Sequence, residues 1–556
     1  MASSNPRDRR GERRLSRLQA SPPAGRDHEE EVRPLLQPET RPITQEQLET
    51  EVKGIYAGVV MVEKKCVEID AELAQTTDRL NNEQWQALIA LHRTLLHEHH
   101  DFFLASQHPK ASAALQRLPT KYAMPARMWR HGIHSFLELL RHRLPYSLEH
   151  MLSFAYLAYQ MMGLLMESVP PFYNTWIECL GDLARYRMAI EQVDLRDRKH
   201  WSNISRMWYE KAADNSPDTG RIQHHIAVTA KAAPDIVCQL FYYSKALIAV
   251  DPFLPARCSI MLLLTPLLES SEPPPSRYSK LESSLVTAAG FLFTKGSVDQ
   301  YCIQAEQFTS ELERHIARSG CNWKTQGPQV ASVLIAFILG FGSDDNYLWK
   351  AFRANHDRSE VSQQEASIDA EDCRHASPPP QHRVKDKFTS ADEVTSYGLQ
   401  VWSQAITIVA GALIYVENHV PWTVLVLFLN SLSRSGVTDA LVESKEFPRS
   451  SFKQLPEDFP IRGLVWAPYY FPSNFFEGEV VDQDDRALEL PSYTAPRTAR
   501  CLWLGVRLAS LNRYMTYDTS TKQFGCTKLA SQLAENTSMR VQTPTTTECN
   551  VQMTDV

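Results

Sequence analysis

Three things are missing from this 556-residue chain: a paired-cysteine motif, an excess of positive charge and a long apolar run. Its 10 cysteines are scattered from Cys66 through Cys238 and Cys321 to Cys549 with no C-x-x-C pair. They read as reduced, mostly buried thiols of an intracellular protein. A formal net charge of -7 argues against the basic coat of an autonomous nucleic-acid binder, so any such contact is expected to be local. The most apolar stretches are Val330 to Gly340 and Val401 to Asn430, the second broken by Glu417, Asn418, His419 and Pro421. A membrane span needs about 20 uninterrupted apolar residues, so both are expected to be buried core helices. No apolar run follows the opening MASSNPRDRRGERRLSRLQ, so no secretory signal is expected.

Catalytic signatures are missing as well. Gly340 and Gly342 in LGFGSDD are followed by no G-K-[ST], and GVRLAS is not a nucleophile elbow. His97, His99 and His100 in HEHHDFF spread around a helical turn, whereas a helical zinc pair needs i and i+4 histidines. An interhelical or partner-facing polar cluster is expected there, with no metal, no cofactor and no enzymatic activity.

What remains is helical periodicity. With hydrophobic residues at 43% and charged residues at 22%, the composition is globular, and the length calls for more than one helical module. Residues 1–44 and 516–556 are expected to be disordered tails, and 355–387, with its SPPPQ, a disordered linker. Helices are expected over 45–250, as hairpins over 251–354, and again over 388–515. In Tyr173 to Ile190, the residues Trp176, Cys179, Leu183, Tyr186 and Ile190 form one apolar stripe, with Arg185 off it. Ser202 to Asn215 reads as its partner helix. HHIAVTAK and LFYYSKALIAVDP then repeat the pair, with Ala246 standing 34 residues after Ala212. That period, about 34 residues, marks tetratricopeptide-type hairpins, each needing a neighbour to bury its face. The fold class is therefore all-α, a helical array.

The segments ECLGDLARYR, WYEKAADNSPDTGRIQHHIAVTAK and QLFYYSKALIAVDPFLPAR resemble the Est-one and Smg family of telomerase-associated and nonsense-mediated mRNA decay proteins. LLHEHHDFFLASQHP and MPARMWRHGIHSFLELLRHRLP are similar to its fungal branch, while LPEDFPIRGLVW and RCLWLGVRLAS resemble motifs beyond the repeats. The resemblance implies a 14-3-3-like module running into a tetratricopeptide-like domain, with a pocket that grips phosphoserine. It puts Arg185 and Tyr186 at the family's phosphate-gripping Arg and Tyr, His134 at its usual lysine and Arg141 seven residues on. A neutral imidazole offers less charge than lysine, so His134 is the departure. If Trp129 to Leu144 is one helix, Trp129, Ile133, Phe136, Leu137, Leu140 and Leu144 form its buried stripe, and His134 and Arg141 share a flank. The plain alternative pairs Arg141 with Glu138 and Arg185 with Asp182 as ordinary helix-surface contacts.

One family branch ends in a PIN-type nuclease domain, which needs more than the polar stretch following Ser510, so no RNA cleavage is expected. The expected function is a non-catalytic adaptor in RNA surveillance, binding a phosphorylated decay factor of the helicase type. A telomerase-associated protein holding telomerase RNA or single-stranded telomeric DNA is one alternative. A helical scaffold whose pocket has lost its ligand is another. Arg9, Arg10, Arg13, Arg14 and Arg17 form a weak nucleic-acid-binding or nuclear-import cluster, and the expected location is the nucleus, with shuttling to the cytoplasm.

Overall fold

The computed structural model describes residues 43–353 and 421–533, apart from 77–78, 232–234, 270–277, 348, 351–352, 435–438, 449–453, 473, 478–485 and 487–490. The expected basic tail with its five arginines (all of 1–44 but the last two residues), the 355–387 linker and the stretch up to residue 420 lie outside the described residues.

Local sequence sets the first helices. α1 (Gln45–Gln75) starts where the Thr44 hydroxyl accepts from the Gln47 amide and the Gln47 side chain accepts from the Thr44 N–H. Asn81 and Gln84 repeat this reciprocal cap for α2 (Asn82–Ser106). Each cap satisfies N–H groups that a first turn leaves unpaired and contributes about 1 kcal/mol. α1 and α2 share one core with α3 (Ser135–His142), α4 (Leu148–Ser168) and one face of α5 (Tyr173–Ile190), running from Leu48 to Ile190.

The expected single helix from Trp129 to Leu144 is not uniform. Met128–His134 forms a π-helical turn that passes into α3. Gly132 within it lies so close to α2 that a Cβ would meet the Leu96 side chain at 3.0 Å. The Gly132 carbonyl is 3.0 Å from the buried His92 ring. The wider turn shifts the register upstream, so Met128 is buried where Trp129 was expected and Trp129 is only half-buried. Ile133, Phe136, Leu137 and Leu140 are buried as the stripe requires, while Leu144 is partly buried.

The repeat hairpins follow. α5 pairs with α6 (Leu195–Asn215), and α7 (Gly220–Ala230) with α8 (Ile236–Ile248). α6 starts earlier than Ser202 because the Asp194 carboxylate caps it, accepting from the Arg196 and Asp197 amides. Ala212 and Ala246 are both buried. Gly220, closing SPDTG, is fixed by contact: a Cβ there would lie 2.4 Å from the Ala246 carbonyl oxygen. Ile177, Tyr209, Ala212, Ile222 and Ile226 weld the first hairpin to the second.

No new core begins at residue 251, where a boundary was expected. One cluster takes in Ala227 and α8, continues through α9 (Ala256–Glu269), α10 (Lys280–Phe293) and α12 (Trp323–Ile338), and ends at Trp503. α11 (Val298–Ser319) buries only Phe308 in it. Val330, Val333 and Ala336 of α12 are core as expected, but Leu334 and Ile338 are exposed. The LPEDFPIRGLVW segment crosses back to the array: the Val250 amide donates to the Gly463 carbonyl, and the Val465 amide to that of Ile248, both at 3.1 Å. Gly463, at φ +83°, passes so close to the Pro217 carbonyl that no side chain fits. The carboxylate of Asp458 accepts two bonds from Arg500, at 2.7 and 2.9 Å, and both side chains are buried. This buried pair fastens LPEDFPIRGLVW to RCLWLGVRLAS.

α13 (Trp422–Ser433) and α14 (Thr494–Ala509) carry a last small core. The expected tail from 516 needs correction here. Met515–Asp518 and Gln523–Cys526 pair antiparallel as β1 and β2, with Met515 and Phe524 buried against Val426, Leu429 and Leu502. Trp422 and Tyr514 stack with ring centroids 4.2 Å apart. The alternation of polar and apolar residues in MTYD and QFGC is too short to stand out from a Thr- and Ser-rich stretch. Among the described residues the cysteines are mixed rather than mostly buried: Cys66, Cys179 and Cys238 are buried, Cys526 is half-buried, Cys258, Cys302 and Cys501 are exposed, and all seven are free. No helix among the described residues is long and apolar enough to cross a membrane.

Candidate phosphate-binding site

α3 and α5 bring the four nominated residues together. His134 closes the π-turn and is exposed, Arg141 lies near the end of α3, and Arg185 and Tyr186 lie on α5. The His134 ring stands edge-on to Tyr186 at 6.3 Å between centroids, and the Arg185 guanidinium is 5.6 Å from the Tyr186 ring centre.

At the centre sits an acid. Glu138 accepts from Tyr186 Oη at 2.7 Å and from Arg141 Nε at 3.0 Å on the other carboxylate oxygen. Partial burial opposes its ionisation, but the bonds from Arg141 and Tyr186 outweigh burial and hold the carboxyl below its usual range. Arg141 is about half exposed, at 48% of its side chain, so one face of its guanidinium fork remains open to solvent. The Tyr186 hydroxyl is pushed up, by burial first and then by the Glu138 carboxylate, and stays a neutral donor.

Arg185 is held from behind. Its Nη2 donates to Asp182 Oδ1 at 2.9 Å and its Nε to Tyr209 Oη at 3.2 Å, while Tyr209 Oη donates to the same Asp182 oxygen at 2.6 Å. Burial works against both charges. His225 and Arg185 nonetheless keep Asp182 below the usual carboxylate range, and Tyr209 and Asp182 keep Arg185 fully charged. His225, 3.5 Å from Asp182, is pushed down to about 4 by its own burial. The triangle depends on Gly181: a Cβ there would lie 2.7 Å from the Tyr209 ring, so only glycine lets Tyr209 lie flat on α5 and reach Asp182.

LGDLARYR therefore has a physical reading. Leu180 packs in the core, Gly181 admits Tyr209, Asp182 orients Arg185, and Tyr186 faces α3. Both helix-surface pairings weighed from sequence, Arg141 with Glu138 and Arg185 with Asp182, are present. Sequence reasoning gave Glu138 no place in the pocket and missed Tyr209 and His225. A glycine inside a strong helix costs about 1 kcal/mol and so calls for a packing reason; Gly181 was the available signal.

Of the HEHHDFF histidines only His99 turns towards another helix, while His100 pairs with the adjacent Asp101. His99 is buried, bonded to the Leu95 carbonyl and 4.0 Å from Glu63 of α1, whereas His97 is exposed. Among the described residues no group of His, Cys, Asp and Glu is arranged to hold a metal ion.

No family model matches the chain. A 139-residue stretch is 24% identical to the nonsense-mediated mRNA decay factor SMG7 of Danio rerio. The match takes in 25% of this chain and only 11% of the length of that relative. Together with the all-helical array, it supports a distant likeness to the Est-one and Smg proteins and nothing finer.

Proposed function

We propose that the chain is a non-catalytic adaptor in RNA surveillance, which binds a phosphorylated decay factor through the pocket between α3 and α5. The observation that carries this reading is the convergence of Arg141 and Tyr186 on the single carboxylate of Glu138, with His134 and Arg185 both beside the Tyr186 ring. A carboxylate bonded at once by a guanidinium and a phenol occupies an oxyanion site. A phosphoserine brings up to two charges and three acceptor oxygens to the same donors, so it competes with the lone charge of Glu138. Arg185, locked by Asp182 and Tyr209, is preorganised and loses little side-chain freedom on binding. The likeness to a decay factor directs the choice of partner class.

The test is affinity purification of the intact protein with and without phosphatase treatment, followed by identification of bound proteins and RNA. The adaptor reading expects a decay helicase among the partners lost on phosphatase treatment. Recovery of the same partners after phosphatase treatment, or of telomerase RNA alone, points instead to the scaffold or telomerase alternatives.

A further inference from the structure

A second cleft opens where α6, α7 and α8 meet the start of α12 and the 456–462 crossing. It shares no lining residue with the Glu138 pocket and encloses about 280 Å³, below the roughly 300–1,000 Å³ of sites for drug-sized ligands. It lies just under that range and has ample room for a phosphate group.

Its walls are charged out of balance. Arg206, Lys245, Lys324, Arg462 and Arg486 face Glu210, Asp214 and Glu457. Each of those carboxylates is already bonded to an arginine. Glu210 accepts from Arg206 at 2.7 Å, Asp214 from Arg462 at 3.2 Å and Arg486 at 2.8 Å, and Glu457 from Arg497 at 2.6 Å. Lys245 is only 5% exposed, and its ammonium donates to the Pro460 carbonyl at 2.7 Å. Lys245 is also one of the residues that line the cleft. Burial first, then the Arg462 charge, push Lys245 down to about 7, with Asp214 and Asp218 opposing.

Two further polar groups there lack partners. Gln223 is wholly buried; its Oε1 has no partner, and its Nε2 reaches the Pro217 carbonyl only at 3.5 Å. The buried Nε of Arg462 is also unbonded. An unpaired donor in such a place is costly. An oxyanion seated beside Lys245 and Arg462 would give the orphan Arg462 Nε a partner and sit among the cleft's basic side chains; the Gln223 oxygen, an acceptor, would face away from it.

We propose that this cleft is a second anion-binding site, able to admit a phosphate group, with Lys245 and Arg462 as its floor and Lys324 on its rim. It goes beyond the α3–α5 pocket and is independent of it.

The experiment is calorimetric titration of the full chain with O-phosphoserine, with inorganic phosphate and with a phosphoserine peptide. Each is added to wild type and to an Arg141→Glu/Arg185→Glu variant that lacks the first pocket. That variant is expected to keep one phosphate site. Adding Lys245→Met, or the rim change Lys324→Glu, should weaken it at least about tenfold. Affinity should also fall as pH rises from 7 to 8.5, where phosphoserine keeps its charge and Lys245, among Arg206, Lys324, Arg462, Glu210, Asp214 and Asp218, loses its proton. A peptide binding more tightly than free phosphate assigns the group to a partner chain; equal affinities assign it to a small anion. The proposal is overturned if the variant without the first pocket takes up no phosphate, or if Lys324→Glu, folded by circular dichroism, binds as its parent does. Loss of only the first site leaves this one standing, and the reverse holds as well.

Discussion

Replacing Glu138 by glutamine tests whether its carboxylate occupies the pocket in a ligand's stead. The amide oxygen can still accept from Tyr186, so the shape of the α3–α5 contact survives while the charge facing Arg141 goes. Arg141 and Glu138 are 48% and 27% exposed, so their pair is screened by solvent and its loss should cost about 1 kcal/mol of stability or less. Binding should move the other way. In wild type an incoming phosphate must break the Arg141 bonds and the 2.7 Å Tyr186 bond to Glu138 before making its own. In the variant it competes with water and a neutral amide, and like-charge repulsion from Glu138 is gone. With charge-assisted hydrogen bonds contributing about 1.5–3 kcal/mol and half of that discounted for exposure, affinity for a phosphoserine peptide should rise roughly tenfold. Fluorescence anisotropy with a labelled phosphopeptide at fixed ionic strength reads it. Unchanged or weaker binding by a folded Glu138→Gln protein would refute the idea that the carboxylate and a phosphate share one place.

Three other perturbations follow from the same geometry. Gly181→Ala puts a methyl 2.7 Å from the Tyr209 ring, so it should cost about 1–3 kcal/mol in urea unfolding and weaken phosphopeptide binding by freeing Arg185; wild-type stability would contradict the account of LGDLARYR. Arg500→Met leaves Asp458, 2% exposed, as an unpaired buried acid, and should lower stability by about 3–5 kcal/mol, seen as a fall in thermal midpoint. His99, His224 and His225 are each held by burial down to about 4 in the fold, against about 6.5 in the unfolded chain. Their contribution is complete above pH 6.5 and is lost as pH falls towards 4, because the unfolded chain takes up protons first. The urea midpoint should therefore drop between pH 6.5 and 5, before the carboxylates titrate, and a flat profile there would count against the buried neutral histidines.

Helical periodicity made most of the array legible. The stripe of α5 and the Ala212 and Ala246 positions reported real hairpins, since both depend on local spacing. The π-turn at Met128–His134 was not legible, because it arises from the approach of Gly132 to α2, a contact between segments far apart in the chain. The 515–526 hairpin escaped for a related reason: its stability comes from packing on α13 and α14, not from its own eight strand residues. At the pocket, residue types and their helical neighbours were readable, including the Glu138 and Asp182 pairings. What the sequence could not show is that Tyr186 reaches across to Glu138, or that Tyr209 closes a triangle behind Arg185.

The central claim is that the face shared by α3 and α5 reads phosphate on a partner protein. Its most direct measurement is the affinity of one phosphoserine peptide and its unphosphorylated twin for wild type, Arg141→Glu and Arg185→Glu. The account predicts that wild type prefers the phosphorylated peptide and that either charge reversal removes the preference while the helical circular dichroism spectrum is retained. Equal affinity for both peptides in wild type, or an undiminished preference in both folded variants, would contradict it.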